Sequence, residues 1–132
     1  MKIPAKELDY LRQVRFGVLA TIGKQSLPHQ TVMWYDVRDE QTIMMNTKAG
    51  RVKDRHIQAD GRVSLCVPDG YSFVTVSGTV TTDDDQETAQ ADIASLAVRY
   101  HGEEKARPQI AGFQAEHRVT LLLHVDHVIS SL

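Results

Sequence analysis

The run Asn46-Thr47-Lys48-Ala49-Gly50-Arg51-Val52-Lys53-Asp54-Arg55-His56 holds the residue types and spacing best suited to chemistry. Lys48, Arg51, Lys53 and Arg55 stand against a single Asp54, so the run carries +3 in a chain whose net charge is -2. The rest of the chain therefore carries about -5, and positive charge is concentrated at one place. Ile43-Met44-Met45 before the run predict a strand, and Val52, Ile57 and Ala59 predict a short helix. A helix N-terminus already carries about half a positive charge, so cations stacked beside it are disfavoured unless an anion joins them. Strand, glycine loop and helix start are the parts of a phosphate cradle. The same residues also suit a solvated basic turn, but the charge argument favours an anion site.

Other chemistries find less support. The six histidines include His124 and His127, which stand three apart on an expected strand and so point to opposite faces. No His-x-Glu, Cys-x-x-Cys or His-Glu-x-x-His spacing occurs, so no metal site is expected. Cys66 lies within the apolar strand-like run Val63-Ser64-Leu65-Cys66-Val67, and there is no Gly-x-Ser-x-Gly elbow. No catalytic nucleophile is expected.

The elements that must position the basic run follow from hydrophobic periodicity. Pro4 opens a helix with Leu8, Leu11 and Val14 at helical spacing, through about Arg15. Strands are expected at Phe16–Ile22, Pro28–Val37, Thr42–Thr47, Arg62–Val67, Ser72–Thr82 and Arg118–Ile129, with Gly78 as a candidate bulge. On the second strand His29, Thr31, Met33 and Tyr35 share one face, and Gln30, Val32, Trp34 and Asp36 the other. Met33 and Trp34 suit either barrel core or a wall for a flat ring system. Asp83-Asp84-Asp85 precede a helix whose apolar face is Ala89, Ile93, Leu96, Ala97 and Tyr100, stopped by Gly102. Residues 103–116 predict only a turn and a short helix around Ile110-Ala111. Six strands with few inserted helices exclude a doubly wound parallel sheet and predict a mainly antiparallel barrel.

At 132 residues the chain is expected to be one domain, residues 1–132. Its mildly acidic balance argues against a general nucleic-acid binder. No apolar run reaches the roughly 20 residues of a membrane span, and no signal-peptide core is evident, so no membrane partner is expected. One cysteine fits a reducing compartment, and a cytoplasmic location is expected.

The motifs Phe16-Gly17-Val18-Leu19-Ala20-Thr21-Ile22, Leu27-Pro28-His29, Asn46 to Arg55, Arg62-Val63-Ser64-Leu65 and Arg99-Tyr100-His101-Gly102 occur in that order. Together they resemble the split β-barrel flavin and deazaflavin oxidoreductases, the pyridoxamine 5'-phosphate oxidase-like proteins, over about Leu11 to Ile129. Within these, the chain most resembles the branch that uses coenzyme F420. The resemblance implies a six-stranded antiparallel split barrel of the FMN-binding type. It implies an oxidoreductase that binds coenzyme F420, or alternatively FMN, and transfers hydride to or from a small organic substrate. It maps phosphate contacts onto Arg51 and Lys53, with Asn46, Thr47 and Lys48 at the strand end and Thr31, Val32 and Met33 along the ring. The competing class is a non-catalytic carrier or sensor of the cofactor or of another planar ligand such as a tetrapyrrole; a purely structural interaction domain is third.

The same resemblance implies a homodimer with shared cofactor sites, in which Tyr71 and Phe73 approach from the partner subunit. A small barrel holding a large cofactor in an exposed groove needs a further wall, and aromatic residues after a turn suit an interface. The protein is expected to sediment as a dimer at micromolar concentration without cofactor; a monomer there contradicts the shared-site arrangement.

Overall fold

A computed structural model describes residues 1–132. The elements are α1 (Ala5–Arg12), β1 (Gly17–Ile22), β2 (Pro28–Met33), β3 (Asp36–Asp39) and β4 (Thr42–Lys48), then α2 (Val52–Ala59) and β5 (Arg62–Asp69). They continue with β6 (Ser72–Asp83), α3 (Gln86–His101), α4 (Glu103–Gln114) and β7 (Arg118–Ser130). One seven-stranded sheet runs β2-β1-β5-β6-β7-β4-β3, and every pairing is antiparallel. The apolar alternation of the long strands explains its inner face: Leu19, Leu65, Val74, Val76, Leu121 and Leu123 are almost wholly buried in one core.

The expected six strands are seven, and the sheet is not closed by hydrogen bonds. The expected second strand, Pro28–Val37, breaks at Trp34-Tyr35 into β2 and β3, which lie at opposite edges of the sheet. Because only two residues join them, Met33 and Asp36 can be no more than about 11 Å apart. The sheet must therefore curl until its two edges meet at one end, which is a split barrel without a final ladder.

Side chains from α3 take over the hydrogen bonds at this break. The Tyr35 N–H donates to Tyr100 Oη at 3.1 Å, and the Tyr35 carbonyl accepts from Arg99 Nε at 3.0 Å. The Tyr35 phenol, fully buried, donates to the Leu11 carbonyl at 2.8 Å, and burial pushes its pKa well above the ordinary tyrosine range. Arg99 also donates to the carbonyls of Arg12 and Gln13 at the end of α1, a favourable place for a cation. The motif Arg99-Tyr100 thus pins the strand break to α1 and α3 together.

Gly78 sits opposite the expected irregularity. Ser77 pairs with His127 but Gly78 with Val125, so the extra residue, Asp126, lies on β7. A Cβ at Gly78 would come 1.9 Å from the His124 carbonyl oxygen, so only glycine lets β7 approach this closely. Within residues 103–116 the helix α4, Glu103–Gln114, is longer than the sequence predicts. Only Ala106 of α4 is fully buried and Pro108 interrupts its bonding pattern, so apolar periodicity is weak there; packing on α3 completes it.

Removing the Tyr100 hydroxyl should leave the Tyr35 N–H short of a partner. Tyr100→Phe is expected to lower stability by about 1–3 kcal/mol in urea unfolding, the cost of an unsatisfied buried group. Lys105→Ala, at an exposed position of α4 with no role in the site, is the control and should be near neutral. Equal effects in the two variants contradict this account of the break.

Candidate functional site

The sequence-marked residues converge on a cavity of about 250 Å³. Thr31, Val32 and Met33 from β2 form one side and the chain continues into Trp34, which also lines it. Asn46 and Thr47 reach it from the end of β4, and Arg51 and Lys53 from the start of α2. Ile93 and Leu96 of α3, Phe113 of α4 and Arg118 of β7 complete the lining. Trp34 stacks on Tyr100 with centroids 5.4 Å apart and meets Phe113 edge-on at 6.5 Å, so one wall is aromatic.

The loop from Lys48 to Arg51 uses its own N–H groups internally, Ala49 to the His117 carbonyl and Arg51 to the Lys48 carbonyl, and delivers the chain to the start of α2. Gly50 has φ +83, a conformation that side chains rarely adopt. Asp54, in the first turn of α2, reaches back past the N-cap so that its Oδ2 accepts from the Gly50 N–H at 2.8 Å. The loop's one carboxylate is thereby turned away from Arg51 and Lys53. Arg51 occupies the N-cap position and supplies no side-chain cap, which leaves the first N–H groups of α2 for another acceptor.

Charge at the cavity is poorly compensated. Lys53 is buried, 7% exposed, and its amine is held below its ordinary pKa by that burial first, then by the Arg51 and Arg118 guanidinium groups. No carboxylate offsets these effects at Lys53. Arg118, also buried, is lowered chiefly by burial and partly restored by its bond to Glu116. Cations gathered in a low-dielectric cleft repel one another and favour an anion. Thr47 Oγ1 is buried with no hydrogen-bond partner at all, a polar atom that a bound group could satisfy.

Seven of the expected residues, Thr31, Val32, Met33, Asn46, Thr47, Arg51 and Lys53, are brought together here. Lys48 does not line the cavity; its Nζ lies 3.8 Å from Glu116 Oε2 at a half-exposed position. Tyr71 is fully exposed in the turn between β5 and β6, and Phe73 is bonded through its backbone to Ser131. Neither lines the cavity of its own chain. Sequence reasoning missed Phe113 and Arg118, and read Ile93 and Leu96 only as the apolar face of their helix. For Arg118 the only signal is long-range: it pairs in register with Lys48, which carries it to the end of β4. Among the histidines, no group of three or more metal-ligating side chains forms.

Comparison with known proteins agrees with this architecture. A family described as pyridoxamine 5'-phosphate oxidase matches residues 3–128. No curated protein matches the sequence. Among solved structures, the conserved hypothetical protein Rv2991 from Mycobacterium tuberculosis is 30% identical, with 98% of this chain and 84% of that one covered and a TM-score of 0.81. A structure described as an F420 reductase is 23% identical, covering 96% and 98% with a TM-score of 0.77. A putative pyridoxamine 5'-phosphate oxidase from Lactobacillus delbrueckii is 14% identical, covering 97% and 93% with a TM-score of 0.69, a likeness of fold. With the family matching nearly the whole length, this chain belongs to the pyridoxamine 5'-phosphate oxidase family.

Proposed function

We propose that the protein is an oxidoreductase that binds coenzyme F420 in this cavity and transfers hydride to or from a small organic substrate. The observation that carries the proposal is the buried Lys53 beside Arg51, uncompensated by any carboxylate, at a helix start that faces an apolar and aromatic wall. The residues present fit such a group. Arg51, Lys53 and the first N–H groups of α2 would hold its phosphodiester. Thr47 Oγ1 would gain the partner it lacks. Thr31 to Met33 and Trp34 would lie along the ring, and Ile93, Leu96 and Phe113 would keep water from it. The bound deazaflavin supplies the hydride chemistry, so no side chain of this chain need act as a nucleophile.

Coenzyme F420 carries a phosphodiester and an oligoglutamate tail, more negative charge than FMN presents. Lys48 and Arg55 flank the Arg51 and Lys53 pair in sequence but lie outside the cavity; Arg118 lines it with that pair, giving more cations than one terminal phosphate requires. The fold shared with an F420 reductase is compatible with this choice.

The proposal includes a homodimer whose partner supplies Tyr71 and Phe73 to the site. The outer face of the sheet supports it. Val32, Val18, Cys66, Thr75 and Ile129 stand side by side across five strands, none of them charged, and Val32 and Ile129 are more than half exposed.

Titration of F420 and FMN against wild type, Arg51→Ala and Lys53→Ala at low and high salt tests the site. Each variant should bind F420 more weakly by about 1.5–3 kcal/mol, the range for a hydrogen bond to a charged group. Salt should weaken the wild type more than either variant, because screening acts on charges still present. In the same assay reduced F420 should be oxidised by at least one acceptor from a panel of enones and nitroaromatics. Tighter binding of FMN than F420 overturns the cofactor choice, and unchanged affinity in both variants overturns the anion site. Tight binding of F420 without oxidation by any acceptor overturns the enzyme in favour of a carrier.

A further inference from the structure

Arg118 is fixed on three sides before any ligand arrives. Its Nε donates to Asn46 Oδ1 at 3.0 Å, and its Nη1 donates to Glu116 Oε1 at 2.9 Å. Its guanidinium carbon lies 4.8 Å from the centroid of the Phe113 ring, a cation–π contact. Asn46 is itself anchored, because its Nδ2 donates to the Ala89 carbonyl at 2.9 Å. Two of the five guanidinium N–H bonds are thus occupied, and the others remain on a residue that lines the cavity. A buried guanidinium held in one orientation, with donors to spare, is preorganised to grip an oxyanion.

Glu116 is the sole carboxylate paired with any cation of the cavity, and it is divided. One oxygen accepts from Arg118, while the other lies 3.8 Å from Lys48 Nζ outside the cavity. Asn46 and Phe113 already orient the guanidinium, so Glu116 adds negative charge more than it adds placement. That charge opposes any anion approaching Arg118.

We infer that Arg118 is a third anion-binding residue of the cavity and that Glu116 is its resident counterion, which holds down the affinity for anionic ligands; the inference rests on the cofactor site proposed above. An incoming oxyanion shares the guanidinium with Glu116, and the carboxylate retains Lys48 as its other partner. The site therefore discriminates by charge: a weakly anionic ligand gains too little from Arg118 to offset repulsion by Glu116, whereas a multiply charged one gains from all three cations.

The test uses Glu116→Gln, which keeps an oxygen acceptor for Arg118 and removes only the charge. With F420 as the probe at low salt, it should bind about three- to tenfold tighter than wild type, with the gain shrinking as salt rises. Arg118→Gln should bind F420 about tenfold more weakly or worse. The double variant Arg118→Gln with Glu116→Gln should bind F420 more tightly than Arg118→Gln alone and more weakly than Glu116→Gln, because the Glu116 charge repels the anion in either background. A merely structural role for the pair predicts the opposite sign, since breaking a structural bond does not improve binding. If Arg118→Gln unfolds, Glu116→Gln decides by itself: equal or weaker binding than wild type overturns the inference. Should Arg51→Ala weaken binding while Glu116→Gln fails to strengthen it, the counterion idea falls and the cofactor site stands. Should Arg51→Ala and Lys53→Ala both leave binding unchanged, both fall.

Discussion

Lys53 is buried among cations, and the proposed function depends on that one unfavourable placement. Burial and the Arg51 and Arg118 charges all act against its ammonium. A surface lysine would escape by extending into water, but Lys53 sits in the first turn of α2 and borders the cavity. The nearest carboxylate in sequence, Asp54, is committed to the Gly50 N–H and so cannot relieve it. Such an arrangement costs stability in the free protein and would be relieved by an anion, which is why it carries the cofactor site proposed above.

The fold maintains this arrangement by holding three separate parts of the chain against it. The break in the second strand turns Trp34 to the aromatic cluster of α3 and α4 while Met33 remains in the barrel core. Arg99 and Tyr100 hold that break by bonding both backbone groups of Tyr35. On the other side, the ladder between β4 and β7 sets Arg118 opposite Lys48 and Thr120 opposite Asn46. The buried polar groups are then linked: Thr120 donates to Asp92 at 2.7 Å, Asp92 pairs with Arg38 at 3.0 Å, and Asn46 joins α3 to Arg118. Satisfied networks of this kind fix side chains in single orientations, which a preorganised site requires.

Much of this was legible in the sequence because it is local. The basic run, its strand-loop-helix setting and the alternation that sends Thr31 and Met33 to one side need only neighbouring residues. The irregularity at Gly78 was legible too, although the inserted residue proves to be Asp126 on the facing strand. What escaped depends on distant partners. Nothing near Trp34-Tyr35 announces a strand break, since the groups that replace its ladder lie on α3, 64 and 65 positions away. Arg118 reads as the polar start of a strand until register places it beside the basic loop. Lys48 has the right type and neighbourhood, yet as the last residue of β4 it turns to Glu116 instead of the cavity. Helix α4 hides because its packing on α3 leaves only Ala106 fully buried and thus no clear apolar stripe.

The central claim is that Lys53 is a cation waiting for an anion, and its own titration tests this most directly. The Lys53 amine can be followed by NMR through its Nζ and Cε resonances across the alkaline range, without and with saturating F420. In the free protein it should lose its proton below the ordinary lysine range, because burial and two arginines disfavour the charge. Bound anion should raise that pKa, so that F420 binding takes up a proton between the free and bound values and affinity falls as pH rises through the free value. A Lys53 pKa that is ordinary in the free protein, or that F420 leaves unmoved, would contradict the account.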